Sequence, residues 1–250
     1  MRHQKPKKLV LLYFEIIAKM ANIINIDTST EVCSVALTSQ GTVIEHREDY
    51  SGQNHAKLLS PFIADILQYS TSRDIKIDAV AVSLGPGSYT GLRIGLSEAK
   101  GLAFGLGVPL IGVDTLKLLC VSAMFSRYVD ESSLFIPMID ARRMEVFAGV
   151  YDLALNEVMT PMPVILDENS FADYITPDRN IILLGNGADK ASKVITGPNI
   201  HFIPGVKPVA VDMLALSELA FRNADFIDVA YSTPKYLKEF QATKPRNKVF

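Results

Sequence analysis

Short apolar runs separated by turn residues dominate the first hundred positions. Asn22-Ile23-Ile24-Asn25-Ile26 predicts a strand, Asp27-Thr28-Ser29-Thr30 a turn, and Val32-Cys33-Ser34-Val35-Ala36-Leu37 the returning strand. A third strand from Thr42 to Tyr50 continues the sheet. The rhythm then changes to that of a helix over roughly Asn54 to Tyr69. Its apolar positions are Leu58, Leu59, Phe62, Ile63, Ile66 and Leu67, one buried face, with Pro61 a candidate kink. Ala79-Val80-Ala81-Val82-Ser83-Leu84 predicts a further strand, which leads through a Gly-Pro-Gly loop into a helix ending near Gly105.

The second half repeats this order. Leu134-Phe135-Ile136-Pro137-Met138-Ile139 runs into Asp140-Ala141-Arg142-Arg143, and Val146 to Tyr151 returns as a strand. Ile181 to Leu184 leads into Gly185-Asn186-Gly187 and a helix-like stretch from Ala188. Strand, Ile-Asp and hairpin, then strand, Gly-x-Gly and helix, each occur twice in the same order. That predicts an α/β fold built on a duplicated unit, two lobes each with a mixed sheet and helices. The expected division is a first lobe over 20–114 and a smaller second lobe over 115–250 with a basic tail. Residues 1–19 are expected to be an extension outside the fold. Their basic patch (Arg2, Lys5, Lys7, Lys8) and apolar run Leu9 to Ala18 superficially look like a signal peptide. Glu15 interrupts that run, no small-x-small site follows, and it is too short to span a bilayer.

Residues 85–95, Gly-Pro-Gly-Ser-Tyr-Thr-Gly-Leu-Arg-Ile-Gly, open a helix that carries Gly91, Gly95, Gly101 and Gly105. Each interior glycine costs roughly 1 kcal/mol against alanine. Gly91, Gly95, Ala99 and Ala103 form one row at four-residue spacing, and Ser97, Gly101 and Gly105 a second. Two smooth faces let other backbones approach. Packing inside the same domain is one reading, and contact with a partner subunit is the other.

The 250 residues are 48% hydrophobic and 21% charged, enough for one large domain or two lobes. A net charge of -2 provides no global basic field to draw in nucleic acid or an anionic membrane. Cys33 and Cys120 show neither metal spacing nor a disulfide framework, which fits a reducing cytoplasm.

If the two halves face each other, Asp27 and Asp140 sit at equivalent strand ends looking into a cleft. This arrangement resembles the actin, Hsp70 and sugar-kinase superfamily, whose hairpin turns and Gly-rich loops hold nucleotide phosphates and metal. The candidate nucleotide residues are therefore Asp27, Thr28, Ser29, Gly85, Gly87 and Asp140. The rival reading makes each aspartate a turn residue capping nearby amides. Members that turn over ATP usually have Asp-x-Gly in the first turn, whereas this chain has Asp27-Thr28-Ser29. Ser88 does not sit in a Gly-x-Ser-x-Gly elbow, so a helix N-cap suits it or Thr90 better than a nucleophile. Arg93 stands at the unfavourable end of its helix, solvated or paired with Glu98 or a partner's carboxylate. Arg142 and Arg143 are candidates for phosphate or tRNA-backbone contact, or for salt bridges to Glu145 or Asp152. The tail from Lys235 holds five Lys/Arg against Glu239 and reads as solvated, or as electrostatic help with tRNA or a partner.

Ile26-Asp27-Thr28-Ser29-Thr30-Glu31-Val32-Cys33-Ser34-Val35-Ala36 and the whole 85–95 block resemble the TsaB (YeaZ) family. Matches continue at Pro109 to Leu116, Ile139-Asp140-Ala141-Arg142 and Pro234-Lys235-Tyr236-Leu237-Lys238. The Gly-Pro-Gly-Ser-Tyr-Thr-Gly block is shared with the catalytic paralogue TsaD, and the short length and weak second half point to TsaB. The resemblance implies a cytoplasmic, actin-like scaffold without catalysis of its own. It would pair with TsaD, which transfers threonylcarbamoyl to N6 of adenosine 37 in tRNAs reading codons that begin with A, while the ATPase TsaE docks on the pair. The family pairs through the first two helices, here about 54–69 and 91–105. That makes His55, Leu58, Leu59, Phe62, Gly91, Arg93, Gly95, Ala99 and Leu102 the candidate interface. TsaD-type proteins hold metal with His-x-x-x-His on the first helix. Here His55 is followed by Leu59, so no metal and no cofactor is expected, with room left for weak nucleotide binding inside the complex. Contact with tRNA is expected through the complex, a homodimer when alone is allowed, and no membrane partner is expected. The alternatives are an actin-like ATPase or small-molecule kinase using the cleft, and a serine protease.

Overall fold

The computed structural model describes residues 20–52 and 54–238. The extension 1–19 and the tail beyond Lys238 lie outside these residues. Two five-stranded mixed sheets form the molecule. The first contains β1 (Ile23–Asp27), β2 (Cys33–Ser39), β3 (Thr42–Asp49), β4 (Ala79–Gly85) and β5 (Leu110–Asp114), in the order β3-β2-β1-β4-β5. The second contains β6 (Leu134–Asp140), β7 (Glu145–Tyr151), β8 (Glu157–Ile165), β9 (Ile181–Leu184) and β10 (Ile200–Ile203), in the order β10-β9-β6-β7-β8. Each sheet begins with an antiparallel meander of three strands and ends with two strands parallel to the first. The duplication legible in the sequence is therefore a topological repeat, and Asp27 and Asp140 end equivalent strands.

Helix α1 (His55–Thr71) runs through Pro61 without a break. Helix α2 (Tyr89–Leu106) is capped by the Ser88 hydroxyl, which accepts the Gly91 N–H, and closed by Gly107 in the left-handed conformation. Both helices pack on the first sheet, burying Leu59, Ile63 and Ile66 from α1 and Leu96, Ala99 and Ala103 from α2 against Ile24, Val80 and Val82. Helix α3 (Thr115–Ala123), capped by the Asp114 carboxylate, links the lobes. Its Leu116, Leu119 and Cys120 pack on Phe135, Tyr151 and Ile182 of the second sheet. In the second lobe the helix predicted from Ala188 is the single turn α4 (Ala188–Ala191).

The boundary expected at 115 needs correction. After β10 the chain returns to the first lobe. There Ala210, Met213 and helix α5 (Leu214–Arg222) cover the face of the first sheet formed by Ile23, Ala79 and Ile111. Ile227 then bridges to Leu110, so the first lobe is closed by residues from the far end of the sequence. Among the described residues no helix is long and apolar enough to cross a membrane.

The two glycine rows of α2 behave differently. A Cβ on Gly91 or Gly95 would lie 2.2 Å from Thr28 atoms, while one on Gly101 or Gly105 would meet nothing within 4 Å. Gly101→Ala should therefore raise stability by about 0.5–1 kcal/mol. Gly95→Ala should lower it by about 1–3 kcal/mol, and adding Thr28→Ala should recover part of that loss. Urea denaturation of the wild type and the three variants measures all three effects.

Candidate functional site

Of the expected cleft residues, the first turn and the Gly85–Gly87 loop come together and face one another, while Asp140 bonds only within the second lobe. All four residues of the first turn, Asp27 to Thr30, are buried. Ser29 donates both its backbone N–H and its hydroxyl to the Asp27 carboxylate, at 3.2 Å and 3.0 Å to the nearer oxygens. The turn is pressed onto the loop after β4. Ser88 N–H donates to Ser29 O at 2.7 Å, and Thr28 Oγ1 donates to Gly91 O at 2.8 Å. A Cβ on Gly87 would lie 2.3 Å from Ser29 O, so only glycine permits this contact. Gly85 sits at φ +113, a backbone that side-chain-bearing residues avoid, and a Cβ there would lie 2.9 Å from Lys235 O and 3.0 Å from Leu92 Cδ1.

The second lobe carries the same device. Gly185, at φ +90, and Gly187 lean on Met138, and Gly187 N–H donates to Met138 O at 3.0 Å. Asp140, unlike Asp27, is exposed and forms an ion pair with Lys190 at 3.0 Å. Asn186 Oδ1 accepts the Asp140 N–H at 2.9 Å. Glu31, just past the first turn, is bonded to Lys207 at 3.0 Å and also engages Asn186. Partial burial pushes the Glu31 carboxyl up, but its hydrogen bonds and Lys207 outweigh that and hold it below the usual carboxylate range. The two turns are thus tied across the lobes by the chain's own side chains.

The candidate helix face divides into residues that are available and residues that are not. Gly91, Gly95, Ala99 and Leu59 are buried in the chain's own core, so they are withdrawn as partner contacts. His55 is also withdrawn. At 7% exposure its Nε2 sits 3.1 Å from Val32 O, so it neither caps the helix nor faces solvent. Leu58, Phe62 and Leu102 are half-buried along the seam between α1 and α2, where Ser60 donates to Glu98. Arg93, Ser97, Gly101 and Gly105 remain exposed, beside Phe104 at 82% exposure.

Sequence reasoning missed a strap formed by residues 228–238. Lys100 donates to the carbonyls of Ala230 and Ser232. Arg93, read as solvated or paired with a carboxylate, is exposed, donates to Tyr236 OH at 3.0 Å and lies over the Tyr89 ring. Lys235 N–H donates to Leu84 O, and its ammonium pairs with Asp114 at 3.0 Å. Lys238 reaches Glu145 of the second lobe at 2.8 Å. A shallow groove of about 210 Å³ lies between α2 and this strap. The expected partners of Arg142 and Arg143 are also corrected, because Glu145 is taken by Lys238 and Asp152 by Asn156. Among the described residues no three His, Cys, Asp or Glu side chains come together as a metal site.

Two lobes of this topology, with paired Gly-x-Gly turns, define a two-lobed actin-like protein. Residues 46–246 match the family model described as TsaD, tRNA N6-adenosine threonylcarbamoyltransferase. The chain is 32% identical over 230 residues to the tRNA threonylcarbamoyladenosine biosynthesis protein TsaB of Escherichia coli, covering 89% of this chain and 96% of that one. With TsaB of Bacillus subtilis it shares 32% over 161 residues, 64% of this chain and 62% of the other. YeaZ from Pseudomonas aeruginosa superposes with a TM-score of 0.73 at 28% identity, covering 87% of this chain and all of that structure. The family model is described by the name TsaD, and near end-to-end similarity to TsaB of Escherichia coli decides between the two names. The chain belongs to the TsaB (YeaZ) family.

The buried Asp27 gives a pH test. Loss of water around its carboxylate pushes the pKa from 3.8 up to about 6, against the pull of the hydrogen bonds from Ser29. Folding therefore favours the protonated form. This group's stabilising contribution is full below about pH 4 and is lost as pH rises through about 6, a change on the order of 3 kcal/mol. Asp27→Asn should remove that pH dependence, so the variant gains on the wild type between about pH 4 and 7. Melting temperatures of the two proteins measured side by side across this range check the expectation.

Proposed function

We propose that this chain is a non-catalytic scaffold subunit in the synthesis of threonylcarbamoyladenosine in tRNA. It pairs with the catalytic paralogue TsaD through the outer side of α1 and α2, and the ATPase TsaE docks on that pair. Threonylcarbamoyl is then transferred by the paralogue to N6 of adenosine 37 in tRNAs reading codons that begin with A. The relatives' names supply the pathway. The observation that carries the scaffold reading is the packed pair of turns. Asp27 is buried under its own turn, and Glu31, Asn186 and Lys207 bridge the space where the superfamily seats nucleotide phosphates. The exposed half of α2 supports the pairing. Its outward glycines leave room for an approaching backbone, and half-buried Leu58, Phe62 and Leu102 line the seam beside them.

Gly101→Trp tests the pairing, since the new ring projects into open space and the fold is expected to keep its melting temperature. Calorimetric titration against the paralogue should show pairing weakened by about tenfold or more. Unchanged affinity would remove α2 from the interface. The rival reading, an ATPase or kinase working alone, predicts ATP hydrolysis by the purified chain that is lost in Asp27→Ala. The expected rate is background in both proteins.

A further inference from the structure

We propose that the tip of the β6–β7 hairpin, Arg142 and Arg143, is a docking point for the phosphate backbone of the tRNA. This inference rests on the reading that the chain works in a tRNA-modifying complex. The hairpin is what singles out these two arginines. Both have positive φ, 73° and 50°, in the loop that joins β6 to β7, where Glu145 N–H donates to Arg142 O and Ala141 N–H to Glu145 O. Asparagine and glycine adopt positive φ with little strain, and arginine does so poorly. Turn chemistry therefore gives no reason for Arg-Arg at this tip, and the reason must lie in the side chains.

Both guanidiniums are exposed, and among the described residues neither has an ion-pair partner. The nearest acids are already neutralised, Asp140 by Lys190 and Glu145 by Lys238. The two positive charges of the tip are thus uncompensated in a chain whose net charge is -2. Lys238 is also where the described residues end, and the sequence that follows carries Lys244, Arg246 and Lys248 against Glu239. A positive tip in a chain whose following sequence is also basic fits a long polyanion better than a short acidic peptide. Guanidinium forks suit phosphate oxygens, and such contacts position nucleic acid without reading its sequence. The strap connects the tip to the proposed pairing face, with Tyr236 bonded to Arg93 of α2 and Lys238 to Glu145 of the hairpin.

The decisive variant is R142N/R143G, which places residues tolerant of positive φ at both positions and removes both charges. Its melting temperature should equal or exceed that of the wild type. Binding of a fluorescent tRNA transcript, measured by anisotropy for the full chain alone and with the paralogue, should weaken about three- to tenfold. The slope of log K against log salt should flatten by about 1–2, as expected for two lost phosphate contacts. R142K/R143K should keep most of that slope. A fall in melting temperature would make the arginines structural and overturn the proposal. So would an unchanged tRNA affinity, a wild type that binds no tRNA in either form, or loss of pairing with the paralogue in place of RNA binding. The scaffold reading fails separately, if the wild-type chain does not pair with the paralogue at all.

Discussion

The contact between the Asp27–Thr30 turn and the first turns of α2 governs the first lobe. Three positions along this contact, Gly87, Gly91 and Gly95, cannot carry a Cβ without striking Thr28 or Ser29. The approach is held by the Ser88-to-Ser29 and Thr28-to-Gly91 hydrogen bonds. Most of what distinguishes the molecule follows from this distance. The turn loses its solvent, so Asp27 becomes a buried acid that prefers its proton. The loop after β4 has no free space in front of it, although such loops are where open α/β sheets usually receive phosphate.

The two halves show what closure changes. They share strand order and both end their first strand in aspartate, yet Asp27 is sealed and Asp140 is open and ion-paired. The strap makes the asymmetry larger. Residues 228–238 run from β5 along α2 to the second hairpin, anchored by Lys100, Arg93, Asp114 and Glu145. Duplication gave two similar frames, and the C-terminal return made one of them the heavier.

Strand and helix positions were legible because each depends on a local pattern. The alternation in 22–50 and the spacing of Leu59, Ile63 and Ile66 read directly as sheet and buried helix face. The interface was only half legible. Glycine and alanine at four-residue spacing say that something approaches closely, and the chain's own Thr28 satisfies that as well as a partner would. Which row faces inward depends on where the turn lands, a contact across more than sixty positions. The lobe boundary was misplaced for a similar reason. Helix α5 has an ordinary amphipathic pattern, and nothing in that pattern names the sheet it will cover. Arg93 found Tyr236 rather than a carboxylate because the strap, itself invisible to periodicity, brings a tyrosine 143 positions away beside it.

The outward row of α2 is left over once the fold is accounted for. Gly91 and Gly95 are required by the turn, so their helix-weakening effect is offset within the chain. Gly101 and Gly105 touch nothing, and each weakens α2 by roughly as much as the inward glycines do. Alanine at either place would fit the structure and strengthen the helix. The fold therefore gives no return for these two residues, and any return comes from outside the chain. Bare glycine beside exposed Phe104 and half-buried Leu102 leaves room for a second backbone and apolar surface for it to rest on. The inward row explains why this lobe closes on itself, and the outward row is the surface on which the proposed partner would rest.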